Sequence, residues 1–273
     1  MIKNKFFSNK FFYKKNFGQN FLKDKQVIKK IINVINPKNN DLIIEIGPGL
    51  GSLTIPLCSI LKKLTVIEID RDILNFFLNK KFFHKLNFHL LNVLYFNFLE
   101  FYLKNKKKKI RIVGNLPYNI STKLLLNLIK YFKVFKDMYF MFQKEVADRI
   151  LSFPNTKLYG RLSIIVQYFF KVKKILDVSS NSFFPKPKVN STFLKFIPRK
   201  SFSKLLFDIN IFSKITNLAF SQRRKILKHS LKKIFLQDTL IFLKINPKLR
   251  AENLSIKQYS ILTDYYIKNK FSN

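Results

Sequence analysis

Two short apolar runs, Leu42-Ile43-Ile44-Glu45-Ile46 and Leu64-Thr65-Val66-Ile67, most narrow the folds open to this chain. Between them lie a glycine-rich turn, Gly47-Pro48-Gly49-Leu50-Gly51, and a helical stretch that begins near Ser52 or Thr54 and holds Pro56 in its first turn. Runs this rich in β-branched residues read as strands buried on both faces, and a strand–turn–helix–strand unit is the building block of a parallel sheet. The turn has glycine at every second position, G-x-G-x-G, with Glu45 two residues before the first glycine. A dinucleotide turn is spaced G-x-G-x-x-G, although it shares the same logic. The second run ends in Glu68-Ile69-Asp70, about 20 residues past the turn, where an acid is expected to hold the hydroxyls of a ribose. Turn and acid together point to a nucleoside cofactor over a plain strand–helix corner.

The rest of the chain continues the alternation. Residues 26–35 have helical spacing behind Asp24, a plausible N-cap, and Pro37 lies just beyond. A third strand, 87–91, ends at Asn92, and the lysine run 104–109 reads as a solvated loop. The strand Lys109-Ile110-Arg111-Ile112-Val113 then runs into Gly114-Asn115-Leu116-Pro117-Tyr118. That turn can be an ordinary corner, with Asn115 capping a helix from Ile120. It can equally be a grip for an exocyclic amine: the Asn115 side chain and the Leu116 carbonyl accept its two N–H bonds, and Tyr118 offers a face for the base. Further helices are expected at 124–131 and 145–151 and strands at 138–142 and 192–196. Residues 164–170 are apolar, and Phe183-Phe184-Pro185-Lys186-Pro187-Lys188-Val189 is a proline-stiffened loop. Past Pro198 no strand pattern remains. Residues 211–220, 222–235 and 255–267 read as helices, so the expected division is a sheet domain at 1–198 and a helical, basic domain at 199–273.

The net charge of +37 favours a polyanionic partner, nucleic acid before an anionic membrane. Lysine far outnumbers arginine, as drift in an A+T-rich genome also produces, so the adjacent arginines carry more information than the total. Arg223-Arg224-Lys225, with Lys228 and Lys232 on an expected helix, puts part of a cationic cluster on one face for phosphate contact. One cysteine, Cys58, allows no disulfide within the chain and no cysteine-based metal site, and His84, His89 and His229 lack ligand spacing, so no metal is expected. No apolar run approaches a membrane span, and residues 1–15 have neither an apolar core with a cleavage site nor the arginines of a mitochondrial presequence. The expectation is a cytoplasmic, monomeric protein.

Taken in order, the motifs resemble those of the ribosomal RNA adenine N6,N6-dimethyltransferases, most closely the bacterial small-subunit (16S) type. They are Asn16-Phe17-Gly18-Gln19-Asn20-Phe21-Leu22, Glu45 to Gly51, Glu68-Ile69-Asp70, Gly114 to Thr122, Gln143-Lys144-Glu145-Val146, Tyr159-Gly160-Arg161-Leu162-Ser163, Phe183 to Val189, Ala219 to Lys225 and Arg250-Ala251-Glu252-Asn253. The resemblance implies an α/β fold: a Rossmann-like methyltransferase sheet with a small C-terminal helical domain, using S-adenosylmethionine. It implies cofactor contacts at Asn20, Leu22, Gly47, Gly49, Glu68, Asn92 and Asn115, catalytic roles for Asn115, Leu116 and Tyr118, and RNA contacts at Tyr118, Phe183, Arg223, Arg224 and Lys225. The expected partner is small-subunit rRNA in the immature 30S subunit. The family usually has Asp where this chain has Asn92, which implies weaker cofactor binding. Rival readings are the large-subunit sister group, a DNA adenine methyltransferase (which usually shows Asp-Pro-Pro-Tyr in place of Asn-Leu-Pro-Tyr), and an assembly factor that kept the fold without turnover.

Overall fold

The computed structural model describes residue 14 and residues 18–199 and 208–270. The readings made on residues 1–13 and 15–17, and the start of the expected helical domain at 200–207, lie outside the described residues. The chain opens with a two-residue strand β1 (Phe21–Leu22) and helix α1 (Lys25–Ile35). The Asp24 carboxylate accepts the N–H groups of Gln26 and Val27, and Asn36 ends the helix in the left-handed conformation with φ 45°. Then follow β2 (Leu42–Ile46), α2 (Thr54–Ile60), β3 (Leu64–Glu68), α3 (Arg71–Leu78), β4 (Leu86–Leu90), α4 (Phe98–Lys104), β5 (Ile110–Gly114), α5 (Tyr118–Leu128), β6 (Phe135–Gln143), α6 (Lys144–Leu151) and α7 (Arg161–Phe169). After them come β7 (Phe170–Val178), β8 (Phe183–Phe184) and β9 (Ser191–Pro198).

Seven strands form one sheet in the order β4-β3-β2-β5-β6-β9-β7, in which only β9, antiparallel to both its neighbours, runs against the others. The chain builds outward from β2 through β3 to β4, then returns to lay β5 against the other side of β2. At that reversal the connections leave β2 and β5 toward opposite faces and a crevice opens at the strands' carboxyl ends, where open α/β sheets bind ligands. Alternation along the strands sorts the core into two faces. Ile43, Val66 and Val113 pack with Ile31, Ile35, Leu57 and Cys58 of α1 and α2, whereas Ile44, Ile46, Ile112 and Phe140 pack with Leu124, Leu125 and Leu128 of α5.

Strand β7 (Phe-Lys-Val-Lys-Lys-Ile-Leu-Asp-Val) was not foreseen. It starts directly where α7 ends, and its lysines belong on the sheet edge that it forms, where charge discourages further strand pairing. The C-terminal region departs further from expectation. Helix α8 (Ile209–Ser221) agrees with the sequence pattern, but the helix expected over 222–235 does not form. Residues 222–224 turn, Ile226 makes an antiparallel bridge to Arg250, and only the short α9 (Leu227–Ser230) follows, then α10 (Gln237–Phe242) and α11 (Ile256–Lys270). The Arg223 side chain accounts for the break. It pairs with Glu252 at 2.8 Å and donates to the Lys157 carbonyl at 2.6 Å, contacts that hold the chain in a turn whatever its helix propensity. These C-terminal helices share the sheet's core: Phe212, Ile215, Tyr259 and Leu262 belong to the same buried cluster as Phe142 and Phe196, bridged by Tyr168 of α7, whose ring lies 4.6 Å from that of Phe212.

Candidate active site

The glycine turn after β2 adopts backbone that side chains resist. Gly47 has φ +68°, with nothing within 4 Å of where a Cβ would stand, so the turn leaves open space before its backbone. Gly49 has φ +53°, and a Cβ there would stand 2.8 Å from the Phe21 ring. Facing this turn, β3 delivers Glu68, whose Oε1 accepts the N–H groups of Ile69 at 2.7 Å and Asp70 at 2.9 Å. Burial nonetheless raises its carboxyl above the ordinary range. Asp70 is already committed: it caps Asp72 N–H and binds Lys14 at 2.7 Å and Gln19 at 2.9 Å. Of the two acids at the end of β3, Glu68 is therefore the one that faces the cleft.

On the β5 side, Asn115 does not cap a helix. Helix α5 starts at Tyr118, and its first N–H groups reach the Pro117 carbonyl. Instead, Asn115 Nδ2 donates to the Asn20 carbonyl at 2.8 Å. That bond fixes the amide's orientation, since only the NH₂ end can meet a carbonyl, and it leaves Oδ1 as an acceptor. Asn20 is held in turn by its own side chain on the Gly18 carbonyl, and the Leu22 carbonyl accepts from Ser52 Oγ, so the segment before α1 crosses the mouth of the crevice. Asn92, two residues past β4, caps a short turn with its Oδ1 on the Leu94 N–H at 3.0 Å, which leaves its NH₂ free to turn to the cleft.

Asn20, Leu22, Gly47, Gly49, Glu68, Asn92 and Asn115, seven residues spread over almost 100 positions, line one cleft. An open cradle at Gly47, an acid with a lone-pair-bearing oxygen to spare and apolar walls from Leu22, Ile67 and Leu91 suit a nucleoside with a charged tail, as S-adenosylmethionine is. From the sequence Glu45 stood out only by its spacing to the glycine turn and was given no role, yet it lines the cleft at 2 % exposure.

Tyr118 stands beside this cleft, half-buried, its hydroxyl 2.5 Å from Ser191 Oγ, and burial raises the phenol's pKa above the ordinary value. Two expected RNA contacts are corrected. Phe183 is 1 % exposed and packs in the core with Leu22, Val178 and Phe193, so its face cannot meet a base. The two residues of β8 point to opposite sides, and its neighbour Phe184, 44 % exposed, is the outward ring. Arg223 is engaged with Glu252 and the Lys157 carbonyl, and the triplet lies on a turn, so the shared helix face with Lys228 and Lys232 does not exist. Arg224 and Lys225 are exposed. No described helix is long and apolar enough to cross a membrane.

The family profile described as "Ribosomal RNA adenine dimethylase" matches residues 10–268. "Ribosomal RNA small subunit methyltransferase A" of Buchnera aphidicola subsp. Schizaphis graminum is 51 % identical over 255 residues, 93 % of each chain. The protein of the same name from Wigglesworthia glossinidia brevipalpis is 49 % identical over 94 % of this chain and 98 % of its own. Among solved structures, a dimethyladenosine transferase from Plasmodium falciparum superposes with TM-score 0.75 at 28 % identity, covering 92 % of this chain and 98 % of that one. The 23S rRNA methyltransferase ErmE shares the fold, with TM-score 0.66 at 19 % identity over 90 % of this chain and 99 % of its own. The crevice at the sheet's reversal, with its glycine cradle and fixed asparagine, is thus found in a chain that belongs to the ribosomal RNA adenine dimethylase family and is an S-adenosylmethionine-dependent adenine dimethyltransferase.

Proposed function

We propose that this chain, acting as a monomer, transfers two methyl groups to the N6 atom of each of two adjacent adenosines in the 3′-end hairpin loop of small-subunit (16S) rRNA, late in subunit assembly. The orientation of Asn115 carries this reading: with its NH₂ on the Asn20 carbonyl, its Oδ1 is left to accept from an amine brought to the cleft. The names borne by the relatives from Buchnera and Wigglesworthia favour the small subunit over the large.

The N6 lone pair of adenine is delocalised into the ring, so the amine is a poor nucleophile. Asn115 Oδ1 and the Leu116 carbonyl, which lies outside the α5 ladder, each accept one N–H bond and draw the nitrogen toward tetrahedral geometry. S-adenosylmethionine, when bound, supplies an already electrophilic methyl group on its sulfonium. Positioning by the turn then provides most of the catalysis, and the proton leaves to water after transfer without a strong base. The base must leave its stack to reach the turn, where Tyr118 receives its face. After the first methylation one N–H remains for the same acceptors, which permits the second. Glu68 would accept from the cofactor's ribose, the Gly47 turn would admit its tail, and Asn92 would meet its adenine.

Mass analysis of the 3′-end hairpin from small subunits matured with and without this protein tests the reading. Both adenosines should be dimethylated only when it is present, and an unmodified hairpin in both samples would overturn this choice of substrate.

Two expectations concern binding. Asn92 uses its carbonyl oxygen on Leu94 N–H, so Asn92→Asp would keep that cap and add a charged acceptor. It should tighten S-adenosylmethionine binding by about 1–2 kcal/mol, the margin of a charge-assisted over a neutral hydrogen bond. Calorimetry on both proteins decides it, and equal or weaker affinity would show a pocket rebuilt around the amide. Arg224→Ala with Lys225→Ala should lower the slope of log K against log salt for the rRNA hairpin by about 0.7–0.9 for each phosphate no longer neutralised, with cofactor affinity unchanged. An unaltered slope would make this pair a merely solvated surface.

A further inference from the structure

The loop that joins α6 to α7, residues 152–160, holds an aromatic ring out in water. Phe153 is 70 % exposed, and Leu158 of the same loop is exposed as well. The loop is tied down on both sides of the ring. Gln167 Nε2 donates to the carbonyls of Ile150 and Ser152, both at 2.8 Å, and Thr156 Oγ1 donates to the Phe153 carbonyl at 2.7 Å. Asn155, left-handed with φ 68°, gives its N–H to the Glu252 carbonyl at 3.0 Å and accepts from Asn253 Nδ2 at 2.8 Å. Arg223 closes the far end through the Lys157 carbonyl. A loop pinned at so many points keeps its ring at the surface by construction.

The surroundings are cationic. Lys157 lies on the loop and Arg161 opens α7. The contacts to Arg223, Glu252 and Asn253 bring against the loop the turn that carries Arg224 and Lys225 and the segment that starts at Arg250. All five of these side chains are exposed, and Glu252, the acid among them, is already paired with Arg223. Drift toward A+T enriches lysine, yet Arg161, Arg223, Arg224 and Arg250 are four of the eight arginines in the chain. A bare ring would suit any apolar partner; five cations around it select a polyanion. An unpaired nucleotide meets both conditions, because its base stacks on the ring and its phosphates meet arginine and lysine. The target adenine is received elsewhere. Helix α6 leaves β6 at the crevice end of the sheet, since β6 runs parallel to β5, and its eight residues carry the chain about 12 Å further on.

We propose that Phe153 is a stacking platform for an unpaired rRNA base other than the target adenosines, with Lys157, Arg161, Arg224, Lys225 and Arg250 on the flanking phosphates. This rests on the rRNA substrate proposed above. The platform adds affinity and fixes the register of the RNA without touching the reacting atoms.

The chain has no tryptophan, so Phe153→Trp places a single indole at the site. Titrated with protein-free small-subunit rRNA, that variant should bind as tightly as the wild type, and its emission should be quenched as the base stacks. Phe153→Ala should lose about 5- to 150-fold in affinity, the span of one base–aromatic stack, and Phe153→Leu should lose nearly as much, because apolar bulk without a π-face does not stack. The slope of log K against log salt should stay the same in all three, since no phosphate contact is removed. Binding of S-adenosylmethionine should not change. Wild-type rRNA affinity in the alanine or leucine variant, or indole emission that bound rRNA leaves unaltered, would overturn the proposal. A loss seen with assembled subunits and absent with protein-free rRNA would overturn it in favour of a ribosomal protein on the ring. Failure of the wild type to bind rRNA in either form would instead overturn the substrate reading on which it rests.

Discussion

Tyr118→Ala should bind S-adenosylmethionine normally, keep most of its charge-driven affinity for RNA, and lose methyl transfer by about 100-fold or more. In the proposed reading the ring receives the unstacked adenine, and removing it would forfeit roughly 1–3 kcal/mol of base stacking. Alignment suffers as well, because a base misplaced by about 1 Å from the acceptors of Asn115 and Leu116 can lose about 100-fold in rate. The structure sharpens the contrast with Tyr118→Phe. The hydroxyl does not face an aqueous surface but meets Ser191 Oγ on β9 at 2.5 Å, so it anchors the ring to the sheet. Loss of one such bond, about 0.5–1.5 kcal/mol, should slow transfer up to about tenfold, and Ser191→Ala should give a similar result by removing the other partner. Single-turnover transfer of labelled methyl to immature small subunits, with the cofactor saturating, measures all three. An alanine variant that delivers both methyls at the wild-type rate would show that the adenine is held elsewhere.

Arg111→Met should destabilise the protein by about 3–5 kcal/mol, a large part of the roughly 5–15 kcal/mol that holds a domain of ordinary stability together. Arg111 is 4 % exposed at the end of β5 away from the cleft. It binds Asp137 on β6 through two nitrogens at 2.7 and 3.0 Å, Asp41 before β2 at 2.7 Å and the Ile35 carbonyl at the end of α1 at 2.6 Å. Removing the guanidinium leaves Asp137 with the Tyr139 hydroxyl, Asp41 with the Lys38 N–H and the more distant Lys136 ammonium, and takes the donor from a helix-end carbonyl. Chemical denaturation at pH 7 gives the difference between wild type and variant. The gap should narrow as the pH falls, because protonation relieves Asp41 in the variant, whereas in the wild type burial is outweighed by the Lys38 N–H and the Arg111 guanidinium, which hold that carboxyl below the ordinary range and keep it ionised. Adding Asp137→Asn to Arg111→Met should recover part of the loss. A variant of wild-type stability would mean that water reaches the carboxylates.

The parallel half of the sheet and the position of its crevice were legible because they follow from local pattern. The β-branched runs of β2, β3 and β5 can only be buried, the turn at Gly47 and Gly49 needs residues without a Cβ, and the first helix is capped at Asp24 as its side chain dictates. The same logic made Glu68 and the Asn115 turn visible as candidates, since both stand at the ends of such strands. The antiparallel edge was not legible at β7, whose lysines match a solvated stretch as well as an edge strand and whose pairing with β9 is long-range. The break after Gln222 was equally hidden: residues 222–235 keep helical spacing, and only contacts to Glu252 and Lys157, 29 and 66 positions away, hold Arg223 in a turn.

Residue types named the site, and only the tertiary structure assigned each group its state. From the sequence Asn115 could be a cap or an acceptor; the Asn20 carbonyl, 95 positions away, decides by fixing which end of the amide is spent. Phe183 and Phe184 are indistinguishable as letters, yet pairing of β8 with β1 turns one into the core and the other outward. Glu45 and Glu68 are the same acid at the same kind of strand end. Backbone N–H groups reach one and not the other, because hydrogen-bond donors are supplied by folding around a side chain, not by the residues next to it in the chain.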